Sequence, residues 1–264
     1  VRSSAASDVY KRQEKSITQQ LEEGKAFFAQ KYPDMKYLAY FQAYTNTYGE
    51  LEELIRKYEE ALATPGVVGL VIGTRPDCMP DELLDYLTEL NRRTFLLVEY
   101  GIESTYDRTL ERINRGHTFE QTRQAVIRTA ERGIMVGGHL ILGLPGESEE
   151  DILHEADLLS ALPLTTLKLH QLQLIRGTKM AHQYAEHPEW FHIYDVDEYI
   201  RLVVAFVGRL RRDIVLERFV SQSPKSLLIA PDWGLKNHEF TQKVYKYMIE
   251  SDTWQGKNAV NTNL

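Results

Sequence analysis

Residues 139–147 read HLILGLPGE, an apolar run that ends in a turn containing two glycines and a proline. The next segment, SEEDILHEADLLSAL, has apolar residues at helical spacing, so the turn leads from a strand into a helix and not into a hairpin. Glycine has no Cβ, and a bound molecule can therefore come close to the backbone between Gly143 and Glu147. The chemistry predicted here is recognition of a ligand by backbone groups at a strand end.

Polar side chains also follow the other apolar, strand-like runs. In parallel α/β proteins the carboxyl ends of the strands carry the ligand site, which makes these residues candidates for binding or catalysis. Taken singly, each is more often an ordinary loop residue than a functional one. The candidates are Gln42, Tyr44, Thr45, Asn46 and Thr47, then Thr74, Arg75, Asp77 and Cys78, then Glu99, Glu103 and Ser104, and finally His170, Gln171 and Gln173.

Several well-known catalytic patterns are absent from the sequence. It has no G-x-G-x-x-G, no Gly-Lys-Ser/Thr phosphate loop and no H-E-x-x-H, and no serine stands between the glycines of GLPGE. His139 and His170 lie on apolar strands, where a histidine is more often a hydrogen-bonded core residue than a metal ligand. Nothing near Cys78 lowers the pKa of its thiol, so we expect it to be inert.

The elements that must position these residues alternate between strands and helices. Short, largely apolar strands covered by helices are typical of a parallel α/β sheet, either doubly wound and open or closed into a complete or partial barrel. Helix starts are predicted at Pro80, at Ser104 with Asp107, at Thr118 with Gln121, and at Ser148. The strands are predicted at 37–42, 67–73, 95–101, 134–143, 166–175 and 213–219.

Composition narrows the class of protein. The net charge of −7 argues weakly against a protein that grips nucleic acid mainly through phosphates. A single cysteine excludes an internal disulfide framework, and no apolar run is long enough to span a membrane, so we expect a cytoplasmic protein. Residues 1–13 are polar and without pattern, and we interpret them as a non-native leader.

Six segments together resemble the radical S-adenosylmethionine (SAM) enzymes, most closely the YhcC-type branch that is related to the radical domain of the elongator catalytic subunit. Each segment stands at a predicted strand end or helix start, and the resemblance extends from about Ser16 to Lys257. The segments are FQAYTNTY (41–48), GTRPDC (73–78), VEYGIES (98–104), INRGH (113–117), HLILGLPGE (139–147) and TWQGK (253–257).

The resemblance implies a partial (β/α)6 TIM-like barrel over residues 14–230, followed by a C-terminal helical extension over 231–264. A parallel unit usually has a strand before its first helix, so the first strand of the barrel is expected to be missing from this chain. The family holds a 4Fe-4S cluster with a C-x3-C-x2-C loop after that strand, and Cys78 alone cannot supply the three thiolates. We interpret the chain as a fragment that lacks this loop, and the alternative is a protein that lost its cluster naturally.

The resemblance also assigns roles in binding SAM. Ile141 would lie against the adenine, and the backbone of Gly143, Leu144 and Pro145 would bond its edge. Glu103 stands where relatives usually have glutamine and would bind the ribose hydroxyls, and Arg115, twelve residues further on, would pair with the SAM carboxylate. Further cofactor-binding candidates are Ser104 and His139, and Gln42, Tyr44, Thr45 and Asn46 near the SAM amino group.

Other residues keep two interpretations each. Glu147 either contacts the ligand or simply suits the positive end of the helix that follows it. Arg75 and Asp77 either face substrate or form an internal ion pair, and His170 and Gln171 are further substrate-facing candidates.

The implied reaction is reductive cleavage of SAM to a 5′-deoxyadenosyl radical, which then abstracts hydrogen from a substrate. An external one-electron reductant is required, and RNA is a candidate substrate only through the kinship with elongator. The alternatives are a SAM- or nucleotide-binding barrel without radical chemistry, a non-catalytic binding module, and a doubly wound sheet whose motifs match by chance.

Overall fold

The computed structural model describes residues 15–29, 32, 34–42 and 44–260. The predicted leader, Ala43 of the first polar segment and residues 261–264 of the predicted extension lie outside this part of the chain. The strands are β1 (Tyr37–Phe41), β2 (Val67–Thr74), β3 (Phe95–Glu103), β4 (Met135–Leu142), β5 (Thr166–Gln171), β6 (Leu174–Ile175), β7 (Val215–Arg218) and β8 (Leu228–Ala230).

Helices separate the strands of the main sheet. They are α1 (Ile17–Ala29), α2 (Leu51–Ala63), α3 (Asp81–Asn91), α4 (Asp107–Arg112), α5 (Phe119–Glu131), α6 (Glu149–Ser160), α7 (Lys179–Glu186), α8 (Val196–Arg209) and α9 (Asn237–Glu250). The six-stranded sheet has the order β1-β2-β3-β4-β5-β7. The pairs β1/β2, β2/β3, β4/β5 and β5/β7 are parallel, and this confirms the predicted α/β class.

The chain divides into two compact units, one of residues up to Gly101 with Arg128–Val136, the other of Ile102–Ile127 with Gly137–Leu264. In the first unit, α3 follows Pro80 as predicted and buries its apolar face completely, with Leu83, Leu84, Leu87 and Leu90 at most 1% exposed. A Cβ on Gly69 of β2 would lie 2.5 Å from the carbonyl oxygen of Phe95, so the close pairing of β2 with β3 requires glycine there.

In the second unit, β4 and β5 pair so that Leu140 lies beside Leu169 and Ile141 beside His170. Leu140 and Leu142 are fully buried, whereas His139 and Ile141, which point to the opposite face, are only half-buried. One face of β4 therefore belongs to the apolar core, and the other is available to carry a site.

The predicted fifth strand, 166–175, is wrong in extent. It stops at Gln171, and Leu174–Ile175 forms a separate antiparallel pair with Leu228–Ala230. Pairing with β4 ends at Leu172, whose amide still bonds to the Leu142 carbonyl, and the side chain of Gln171 bonds to Ser221, fifty residues further along the chain.

Two of the predicted helix starts are capped as their spacing indicates. Thr118 and Gln121 exchange hydrogen bonds before α5, and Ser148 and Asp151 form a capping box before α6. Ser104 differs, because α4 begins at Asp107 after Tyr106 and the hydroxyl of Ser104 bonds elsewhere. None of the helices in the described part of the chain is long and apolar enough to cross a membrane.

Candidate functional site

The end of β3 has a strained backbone at a predicted ligand residue. Glu103 has φ +65°, a left-handed conformation that is uncommon for residues other than glycine. The Ser104 amide then bonds to the Ile102 carbonyl, which closes a tight turn. Strain of this kind is retained where the surrounding structure over-determines it, and such positions are frequent in ligand sites.

Arg115 returns to this turn and pairs with Glu103. Its Nη2 lies 3.3 Å from Glu103 Oε1, and the two side chains are 27% and 16% exposed. The return is possible because Asn114 (φ +57°) and Gly116 (φ +76°) take left-handed conformations on either side of Arg115. Two residues that the sequence analysis placed on different parts of one ligand are thus in contact with each other.

The glycines of the loop after β4 have an intramolecular reason. Gly143 has φ +89°, and a Cβ on it would lie 3.0 Å from the ring of Tyr194. Gly146 has φ +91°, and a Cβ there would lie 2.5 Å from Arg112, whose guanidinium donates to the Pro145 carbonyl at 3.1 Å. The predicted approach of a ligand is therefore not needed to explain these glycines, although it stays a prediction for the loop backbone.

Glu147 joins the loop after β4 to the end of β3. The Ser104 hydroxyl donates to Glu147 Oε1 at 2.5 Å and accepts from the Tyr106 amide at 3.1 Å. Burial raises the pKa of the Glu147 carboxyl, against the lowering effect of its hydrogen bonds. Glu147 thus fastens two predicted ligand-binding segments together.

A row of polar side chains lies on the half-buried face of β4 and on β5 and β7. The rings of His139 and His170 are 5.4 Å apart, and Arg218 lies 2.7 Å from His170 Nε2. The arginine can only donate, so His170 accepts at Nε2. Lys168 on β5 pairs with Glu217 at 3.3 Å.

Sequence reasoning missed Lys168, Glu217 and Arg218. The signal that could have found them is the parallel register, since Lys168 lies beside His139 on one side and beside Arg218 on the other. Gln171, a predicted substrate-facing residue, lies apart from this row. It is 7% exposed, and its amide group bonds to both the backbone nitrogen and the carbonyl of Ser221.

The remaining candidates belong to the first unit. Tyr44 has φ +59° and is 74% exposed, Gln42 is exposed and Thr45 is half-buried, while the Asn46 amide donates to the carbonyls of Phe41 and Gly73. Arg75 donates two hydrogen bonds to Asp77, of 2.9 and 2.6 Å. Of the two interpretations of these residues, the internal ion pair is thus the one that the structure contains.

Glu99 and Cys78 are two further candidates in the first unit. Glu99 is almost fully buried and accepts a hydrogen bond from the Tyr40 hydroxyl. Burial raises the pKa of the Cys78 thiol, which agrees with the expectation of an inert cysteine.

The residues of this chain do not fit an iron-sulfur cluster. Such a cluster needs three thiolates, and Cys78 is the single cysteine of the sequence. The described residues also contain no group of three or more His, Cys, Asp and Glu side chains that could hold a metal ion. What the turn after β3 does offer is a carboxylate and a guanidinium that meet at a half-buried position, and both groups can bond a polar ligand.

Fold and site together define an α/β protein whose parallel strands carry polar, partly strained turns at their carboxyl ends. Comparison with known proteins makes the class specific. The Radical SAM superfamily matches residues 3–159, and the Radical_SAM C-terminal domain matches residues 164–250. The chain belongs to the radical SAM superfamily.

Relatives and one solved structure agree with this assignment. The chain is 37% identical to uncharacterized protein YtqA of Bacillus subtilis over 86% of its own length and 70% of that protein. It is 32% identical to protein YhcC of Escherichia coli K12, covering 85% of this chain and 70% of that one. The fold matches archaeal Elp3 of Methanocaldococcus infernus, with a TM-score of 0.74 at 20% identity, over 90% of this chain and 59% of that structure. The chain thus has the partial-barrel α/β fold that the sequence predicted.

Proposed function

We propose that this chain is the SAM-binding part of a radical SAM enzyme. The observation that carries the proposal is the contact between Glu103 and Arg115 at a strained, half-buried turn of a chain that belongs to this superfamily. The two groups have complementary tasks, since a carboxylate accepts hydrogen bonds from ribose hydroxyls and a guanidinium binds a carboxylate.

Each residue near the turn has a defined task in holding SAM. Ile141, half-buried on the open face of β4, supplies an apolar surface for the adenine, and the backbone of Gly143, Leu144 and Pro145 bonds the adenine edge. Arg115 has five N–H donors, so it can hold the SAM carboxylate while it keeps Glu103 in place. His139 lies on the same face of β4 as Ile141, with its ring 5.4 Å from that of His170; His139 belongs to the cofactor side and His170 faces the substrate.

We expect reductive chemistry only from a protein that carries a C-x3-C-x2-C segment as well as the residues of this chain. The C-x3-C-x2-C thiolates and their 4Fe-4S cluster would supply, with an external one-electron donor, the electron that cleaves SAM. The substrate from which hydrogen is then abstracted is open, and RNA stays a prediction from the kinship with elongator.

Binding of SAM to this chain tests the proposal directly. We expect saturable binding of SAM by isothermal titration calorimetry, and weaker but measurable binding of 5′-methylthioadenosine, which keeps adenine and ribose but lacks the amino acid. Absence of saturable binding of both compounds would reject the proposal.

Catalysis is tested on an N-terminally longer protein that carries a C-x3-C-x2-C segment. After anaerobic reconstitution we expect about four iron and four sulfide ions per chain, and 5′-deoxyadenosine on reduction in the presence of SAM. A protein that binds SAM but holds no cluster and releases no 5′-deoxyadenosine would support the alternative of a non-catalytic binding module.

A further inference from the structure

A half-buried acid, Glu147, and a fully buried one, Glu155 on α6, bond to the consecutive residues Ser104 and Thr105, just after the turn that carries Glu103. Ser104 Oγ, at the end of β3, donates to Glu147 Oε1 at 2.5 Å. Glu155 Oε1 accepts from the Thr105 amide at 2.7 Å and from the Thr105 hydroxyl at 3.2 Å. We call Ser104, Glu147 and Glu155 the carboxyl clasp.

The donors of the clasp and its neighbours serve one oxygen of each acid. The Ser104 hydroxyl, with the Thr109 hydroxyl nearby, serves Glu147, and the Thr105 amide and hydroxyl serve Glu155. The other oxygens, Glu147 Oε2 and Glu155 Oε2, are both buried with no hydrogen bond of good geometry. Glu155 is fully buried, with 0% of its surface exposed. Two ionised carboxylates in such a place would each leave a charged oxygen unsatisfied, which is far more costly than one neutral acid that can donate a hydrogen bond.

The charged groups around the clasp do not neutralise it. From α4, Arg108 pairs with Asp151 of α6 at 2.8 Å, and Arg112 donates to the Pro145 carbonyl. Tyr106 donates its hydroxyl to the Asp151 carbonyl, and Tyr194 approaches from the segment before α8. Burial raises the pKa of both acids, and the charge of Glu147 raises that of Glu155 further.

We propose that Glu147 and Glu155 share one proton at neutral pH, and that the shared proton holds the end of β3 to the loop after β4. The proton gives the two acids a hydrogen-bond donor of their own. It thereby stabilises the contact between Glu155 of α6 and the segment Ser104–Thr105. Glu147 and Glu155 are thus positioning residues. Their effect on ligand binding rests on the proposed function, because it is Glu103 that they position.

The pH dependence follows from the direction of the pKa shifts. A carboxyl group whose pKa is higher in the folded than in the unfolded protein contributes stability that is fully present below its unfolded pKa. That stability is lost as the pH rises through the folded pKa, which burial and the charge of Glu147 hold well above the ordinary value for Glu155. The clasp should therefore hold in mildly acidic solution and loosen in alkaline solution.

The shared proton is tested without any ligand. We expect an infrared band of a protonated carboxyl group at pH 7 in the wild-type protein, lost in Glu155→Gln and kept in Glu150→Gln. Glu150 is an exposed acid on the same helix, so its substitution makes the same change of side chain without touching the clasp. Absence of the band from the wild-type protein would overturn the proposal, whether or not the variants fold.

Thermal unfolding gives a second readout. The glutamine of Glu155→Gln keeps an acceptor for Thr105 and cannot ionise. Between about pH 6 and pH 9 we expect the unfolding temperature of the wild-type protein to fall more steeply than that of Glu155→Gln, with Glu150→Gln following the wild type. Equal slopes in all three proteins would contradict a shared proton.

The positioning role is tested with 5′-methylthioadenosine, which carries the ribose but no group that titrates in this range. We expect the dissociation constant of the wild-type protein to rise about tenfold from pH 6 to pH 9, as one pKa unit of difference between free and bound clasp implies, and that of Glu155→Gln to stay level. If the dissociation constant of the wild-type protein did not change with pH while the infrared band of a protonated carboxyl group was present, the shared proton would stand and only its positioning role would be rejected. Loss of all binding at every pH would instead reject the proposed function, and the band would still decide the shared proton.

Discussion

At the scale of the residue, the site depends on one side chain in an unfavourable backbone conformation. Glu103 keeps φ +65° because the Ser104 amide, the Ser104 hydroxyl and Arg115 are all fixed around it. Glycine would adopt this conformation without strain but would have no carboxylate. The glutamate gives Arg115 an ion-pair partner, and binding of ribose by the same carboxylate stays a prediction of the proposed function.

We expect Arg115 to contribute to binding of the amino-acid end of SAM and much less to binding of its adenosine end. In Arg115→Gln we expect SAM to bind about 10- to 100-fold more weakly, since hydrogen bonds to charged groups contribute about 1.5–3 kcal/mol. The affinity for 5′-methylthioadenosine, which has no carboxylate, should change much less. Calorimetry with both ligands measures the difference.

Arg123→Gln is the control for this experiment, because Arg123 is an exposed arginine that pairs with Glu120 on the surface of α5. Its substitution should leave both affinities unchanged. An equal loss for both ligands in Arg115→Gln would show that Arg115 supports the turn and does not meet the carboxylate.

At the scale of the element, local spacing predicts helix starts well and strand partners poorly. Thr118 with Gln121 and Ser148 with Asp151 lie within one helical turn of each other, so the sequence contains the whole capping interaction. The run 166–175 mixes leucines with polar residues along its whole length, and it contains no glycine or proline that would mark where the chain leaves the sheet. The partner of Leu174–Ile175 is Leu228–Ala230, more than fifty residues away.

The β2–β3 pair depends on the absence of a side chain at Gly69. Gly69→Ala would bring a Cβ to 2.5 Å from a backbone oxygen, which cannot rotate away, so the strands must separate. We expect a loss of about 1–3 kcal/mol in the free energy of unfolding, measured by urea denaturation.

Gly208→Ala provides the comparison for Gly69→Ala. A Cβ on Gly208, in α8, would meet its nearest neighbour at 3.4 Å, and alanine favours helix more than glycine does. This variant should be as stable as the wild type or more stable. If Gly69→Ala behaved in the same way, the tight pairing would not be a constraint on the sequence.

At the scale of the molecule, the sequence predicted the strands of the sheet and that Glu103 and Arg115 belong to one region, but not how that region is supported. Glu155 stands in HEADLL, where it looks like a surface charge on a helix, yet it is fully buried. Its partner Thr105 lies fifty residues earlier in the chain. Contacts of this kind leave no local pattern, because only the folded chain brings the groups together.

The C-terminal helix α9 packs into the core of the second unit, and two substitutions within this helix test its contribution to stability. Phe240 is 1% exposed and packs with Tyr199 of α8 and with Trp233, with ring centroids 5.7 and 5.6 Å away. Phe240→Ala should lower the free energy of unfolding by about 3–5 kcal/mol, since it removes a buried aromatic ring and leaves a cavity. Ile249→Ala, on the same helix but at a side chain that is 81% exposed, should change it by less than about 0.5 kcal/mol. Small losses of stability in both variants would mean that the rest of the protein is stable without the packing of α9. A large loss confined to Phe240→Ala would make residues 237–250 part of the fold that supports the site.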